Sequence, residues 1–172
     1  MCHSDKGEER SEDLKEDTEM IGEFVYGLMQ TEGDILPTIL RVALGIVIFP
    51  HGAQKLLGWF GGDGYRATMD SFTKGMGIPA LFAILPIIVE FFGSLALILG
   101  LVTRLVALGI AVDMLVAVWT VHRHNGFFMN WDGEKEGEGF EFHILVVAIA
   151  VALVIGGGGA LSVDLALYGS PF

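Results

Sequence analysis

Four long apolar runs organise the chain: Ile35 to Leu57, Ile78 to Leu101, Leu105 to Val121 and Phe142 to Leu161, about 17 to 24 residues each. At roughly 1.5 Å rise per residue such lengths suit a hydrocarbon layer of about 30 Å. A soluble amphipathic helix would carry a polar stripe every 3.6 residues, whereas these runs hold only isolated polar positions, so they predict transmembrane helices. The alternative, four buried helices of a soluble domain, needs a polar shell that the chain lacks. The expected class is therefore all-α, an integral membrane four-helix bundle.

The connections differ in kind. Leu101 to Arg104 allows only a tight hairpin, with Gly100 as its C-cap. In the first loop Tyr65, Met69, Phe72 and Met76 recur at helical spacing opposite Arg66, Asp70 and Lys74, which predicts a short interfacial helix. The third loop, Arg123 to Glu141, mixes glycines and acids with Phe127, Phe128, Trp131 and Phe140 and reads as aqueous with aromatic anchors. Gly156 to Gly159 is expected to end the last helix or let it pack closely.

Charge divides the 172 residues in two. Residues 1–34 hold eleven acids against three bases, a net −8 of the chain's −11. They form an acidic tail with an amphipathic juxtamembrane segment (Met20, Ile21, Phe24, Val25, Leu28), preceding a membrane domain over 35–172. The first 18 residues are expected to be disordered. Without clustered Lys and Arg, nucleic acid is excluded as a partner and the lipid bilayer is the expected one. The start MCHSDKGEERSEDLKED has no basic n-region or apolar h-region, so the tail is expected to persist. Bases near the helix ends, Lys55, Arg66, Lys74, Arg123 and Lys135, favour cytoplasmic first and third loops. A hydrophilic tail is easier to leave in place than to translocate, and on that ground both termini are placed in the cytoplasm. One cysteine, Cys2, excludes an intrachain disulfide, a CxxC pair and a thiolate metal cage.

Charge inside a bilayer needs a reason, since each group costs about 2.5 to 3.5 kcal/mol at mid-depth on insertion scales. Counted from the hairpin, Glu90 and Asp113 lie about 12 and 11 residues in, at matching depth, and Arg41 enters from the same face. Arg41, Glu90 and Asp113 are thus expected to form one buried polar layer. That layer reads either as a knot fixing helix pairing or as a quinone, proton or small-substrate site. A second layer at the opposite face gathers His51, Lys55, His122 and His143. Metal is not expected there: His122 and His124 point about 160° apart on a helix, and no HxxxH pair occurs. No nucleophile elbow, phosphate loop or dinucleotide fingerprint marks a catalytic residue.

Three patterns together resemble the DoxX family of small four-helix bacterial membrane proteins. They are R-x3-G-x6-G-x2-K (Arg41, Gly45, Gly52, Lys55), E-x2-G followed by GLVTR (Glu90, Gly93, Gly100 to Arg104), and GGGALSVD (Gly157 to Asp164). The resemblance covers Leu36 to Leu167. It makes Arg41, Gly52, Lys55, Glu90, Gly93, Gly100, Arg104 and Asp164 the family-pattern residues. It implies the bacterial inner membrane and association with quinone-linked redox systems, whether sulfur, thiol or respiratory. On that basis the chain is expected to be a subunit or accessory of such a system, with quinone as the cofactor to test and membrane oxidoreductase subunits or further copies of itself as partners. The alternative is a non-enzymatic scaffold recruiting a protein through the acidic tail. A permease fits less well, because four helices make a narrow bundle unless they oligomerise.

Overall fold

A computed structural model of the chain describes residues 14–23, 26–27, 31–134 and 136–169. Among them every regular element is helical. Helix α1 (Ile35–Leu57) starts where the Asp34 carboxylate accepts the Leu36 N–H at 3.0 Å and ends at Gly58, whose φ of +74° suits glycine. Helix α2 (Gly64–Asp70) continues into a π turn (Ser71–Gly75) in the first loop. Helix α3 (Ala80–Leu99) and helix α4 (Thr103–Asn125) form the hairpin, turned by Gly100 at φ +69°. Helix α5 (Glu141–Gly156) and the short α6 (Val163–Tyr168) complete the chain.

Three of these, α1, α3 and α4, are long and apolar enough to cross a membrane. Only 28, 33 and 22% of their most apolar windows is buried, so most of that apolar surface faces outward, as a bilayer solvent requires. The fourth apolar run falls short of its expected length. Its helix stops at Gly156 after 16 residues, about 24 Å, because Gly157 adopts φ +75° and the chain folds back. Of the tail, residues 14–23 are helical and exposed, so the described part of the segment expected to be disordered, residues 14–18, is helix instead; residues 1–13, the stripe positions Phe24, Val25 and Leu28, and Lys135 lie outside the described residues.

Helix α1 packs on α3, α4 on α5, and α1 also meets α5 and α2. The core is a cluster that includes Leu44, Ile48, Leu97, Ile110, Val146 and Leu153. Gly45 and Gly52 bring α1 onto α3. A Cβ built on Gly45 lies 2.8 Å from the Ser94 carbonyl oxygen, and one on Gly52 lies 2.6 Å from the Glu90 carbonyl carbon. Here the two backbones touch, and a side chain larger than hydrogen has no room.

Candidate functional site

The structure divides the expected polar layer: Arg41 turns to the hairpin end, while Glu90 and Asp113 stay midway along α3 and α4. At the hairpin end Arg41, only 1% exposed, gives all its hydrogen bonds to backbone carbonyls. Nε donates to Gly158 O at 2.7 Å, Nη1 to Leu97 O at 2.9 Å and Ile98 O at 2.5 Å, and Nη2 to Leu161 O at 2.9 Å and Ala160 O at 3.4 Å. The α3 carbonyls belong to its last turn, where the helix dipole favours a cation. Asp164 works at the same place with opposite sign. Its carboxylate accepts the N–H groups of Val102 and Thr103 at 2.7 and 2.8 Å and so caps α4, while its own N–H donates to Gly100 O at 2.9 Å. Arg104 reaches from α4 to the Ile155 carbonyl at 2.6 Å and that of Val154. Together Arg41, Gly100, Arg104 and Asp164 clasp α1, the hairpin and the segment after α5.

Arg41 therefore does not join Glu90 and Asp113. Counting residues along a helix fixes depth but not direction, and the guanidinium turns toward the hairpin, where a bouquet of carbonyls meets all its donors. The cation that meets the acids is Lys55, which the sequence assigned to the other layer. Its Nζ forms an ion pair with Glu90 Oε2, with Glu90 96% buried. Gly52, one turn earlier, makes the pairing possible by laying α1 against the Glu90 backbone. The Asp113 side chain lines the same cavity as Glu90, and its Oδ2 is buried without a protein partner among the described residues.

Lys55, Glu90 and Asp113 end a cavity of about 220 Å³. Its walls are apolar: Phe72 and Met76 come from the first loop, Phe82 and Pro86 from α3, and Val116 and Ala117 from α4. Two π-helical turns shape it, Val89–Gly93 carrying Glu90 and Val118–His122 carrying Thr120 and His122. Such turns re-aim side chains within an otherwise regular helix. Sequence reasoning missed these turns, the role of Phe72 and Met76 as a wall, and Thr120. Pro86, four residues before Glu90, was the one local signal of an irregular helix.

The remaining histidines gather beside this end. His122 lines the cavity and bonds the Glu138 carbonyl at 2.9 Å through Nδ1, which ties it to the third loop. Its ring lies 4.1 Å from that of His143, which is 8% exposed and has no partner at Nδ1 among the described residues. His51 is exposed and packs on Phe142 at 5.9 Å. The loop is held by Glu141, which accepts from Met129 N at 2.9 Å and Trp131 Nε1 at 3.1 Å. Among the described residues no three His, Cys, Asp or Glu side chains converge as metal ligands.

Outward apolar helices around a small, polar-ended cavity define a multi-pass membrane protein whose environment is the lipid bilayer. Residues 36–123 match the sequence model of the DoxX family, and the chain belongs to that family. A protein of Bacillus subtilis (strain 168), named "Putative oxidoreductase CatD", is 29% identical over 102 residues, covering 59% of this chain and 71% of that protein. No solved structure matches the chain.

Proposed function

We propose that the chain is a subunit or accessory of a quinone-linked redox system, and that its cavity at Lys55, Glu90 and Asp113 receives the quinone head. The observation that carries this reading is a largely apolar cavity between the first loop, α3 and α4 whose lining includes Asp113 and the Lys55–Glu90 ion pair. Pockets for drug-sized ligands run to about 300–1,000 Å³, so 220 Å³ suits a single substituted ring with its tail left in lipid. The name carried by the Bacillus subtilis relative supports a redox role.

Quinone would supply a two-electron, two-proton carrier. The chain's own part is to bind and orient the ring between Phe72, Phe82 and Pro86, beside the Lys55–Glu90 ion pair and the Asp113 side chain. The electrons for such a ring would come from a partner subunit. We place the protein in a bacterial cytoplasmic membrane with both termini in the cytoplasm, as an acidic tail over 1–34 and a four-helix domain over 35–172 in which α5 crosses with the help of flanking polar segments.

The test is titration of a short-chain quinone analogue into the intact protein in nanodiscs, followed by isothermal calorimetry. Glu90→Gln or Lys55→Met is expected to weaken binding about tenfold or more, while Arg41→Lys leaves affinity within about twofold. Binding indifferent to both Glu90→Gln and Lys55→Met would remove the assignment.

A second reading rests on the exposed helical residues 14–23, where Met20 and Ile21 are 65 and 64% exposed. In it the tail recruits a partner and the chain is a scaffold. Co-purification with an oxidoreductase that is lost on deleting residues 1–30, with quinone affinity absent throughout, would favour it.

A further inference from the structure

Most cations among the described residues are engaged by an acid or a carbonyl. Lys55 pairs with Glu90, Lys74 with Asp70, and Arg41 and Arg104 donate to backbone carbonyls. Arg123, at the end of α4, differs. Its guanidinium carbon lies over the Trp119 ring at 4.4 Å and its Nε donates to His124 Nε2 at 3.0 Å, yet no carboxylate of the described residues comes within ion-pair distance of it. Acids are not scarce, at 21 against ten bases. Those of the adjoining loop face other groups: Glu138 accepts the Asn130 N–H at 2.8 Å, and Glu141 accepts from Met129 N at 2.9 Å and Trp131 Nε1 at 3.1 Å. Stacking on an aromatic face occupies the plane of a guanidinium and leaves its edge for a planar oxyanion.

Arg123 and Trp119 line a hollow of about 420 Å³ together with Met76, Ile78 and Thr120, and the last three also line the 220 Å³ cavity. The two spaces therefore adjoin. One holds Asp113 and the Lys55–Glu90 pair, and the other holds a cation without a carboxylate. Met76, on the boundary, is 45% exposed and carries an unbranched, adaptable side chain. Asp113 and Arg123 are ten residues apart on α4, about 15 Å of rise, so one small molecule can reach both spaces. Resting on the quinone-site reading, we infer that the ligand is acidic: a ring in the inner cavity carrying an oxyanion on a short arm, with Arg123, held by Trp119, as the residue that recognises the anion.

Isothermal calorimetry on the intact chain tests this, in dodecyl maltoside and in phosphatidylcholine nanodiscs. The probes are a benzoquinone with a pentanoate arm and the matching primary amide, which keeps the shape without the charge. The acid is expected to bind about fivefold tighter than the amide in both media, the scale of a partly exposed ion pair, with the gap closing as salt is added. Arg123→Gln should bring the two probes within about twofold of each other. Trp119→Leu, which removes the ring beneath the guanidinium, should narrow the gap and serves if Arg123→Gln does not fold. Equal affinity of acid and amide in the wild-type protein, while Glu90→Gln still weakens both, would overturn the anion preference and leave the cavity assignment standing. A gap that survives Arg123→Gln would overturn the role of Arg123. A gap present in detergent and lost in nanodiscs would give the cation to a lipid phosphate and overturn the proposal as well. Absence of binding by both probes would overturn the cavity and the anion site together.

Discussion

Arg41 and Lys55 are both cations on α1, about 21 Å apart along its axis, and their surroundings give them different work. Arg41 spends its donors on five carbonyls in fixed directions, a task for a planar fork rather than a point charge. Arg41→Lys is expected to destabilise the protein by about 2–4 kcal/mol, because carbonyls collected around a guanidinium are left unmet in a dry interior. A lower thermal midpoint in detergent with ligand affinity retained is the expected pair of results. Asp164→Ala removes two backbone partners from the start of α4 and should cost about 1–2 kcal/mol, read by the same melt. Charge and depth were legible in the sequence: Glu90 and Asp113, at equal distance from the hairpin, line one cavity. Which cation joins them was not legible, since Arg41 and Lys55 each reach several ångströms along the axis in either direction.

At the scale of elements, the contact of α1 with α3 sets the site. Gly52→Ala drives a methyl group into the Glu90 backbone, which cannot move aside as a side chain could, so the helices must separate. A loss of about 1–3 kcal/mol in stability is expected, together with weaker ligand binding as Lys55 moves off Glu90. Gly109→Ala is the control, for its Cβ would meet Val89 at an ordinary 3.8 Å, and it should change neither measurement appreciably. The helices themselves could be read from hydropathy alone because the solvent for three of them is oil. Their irregularities could not, since a π turn at Val89–Gly93 or Val118–His122 leaves the apolar pattern unchanged and shifts only the facing direction. The glycine run after Ile155 announced an end to the last helix, yet only the positive φ of Gly157 fixes that end at Gly156.

For the whole molecule, a clasp built from one half of the family-pattern residues closes one end of the bundle, and the Lys55 to Glu90 pair of the other half ends the cavity toward the opposite end. This separation predicts that stability and ligand binding respond to different substitutions. The last residues of the acidic tail join the clasp: the Gly159 N–H donates to Thr31 Oγ1 at 2.9 Å and the Ala160 N–H to the Asp34 carbonyl at 2.7 Å. A membrane-impermeant maleimide should label Cys2 in intact cells only after the inner membrane is permeabilised; labelling without permeabilisation would place the tail on the other side. The most direct test of the account is photo-crosslinking of an azidoquinone to the intact protein in nanodiscs, with the modified peptides mapped by mass spectrometry. Label on Phe72, Met76, Phe82 or Thr120, lost on competition with unmodified ligand and reduced in Glu90→Gln, is the predicted result. Specific, competable label confined to the lipid-facing surface of α3 and α4, or to the Arg41 end, would contradict it.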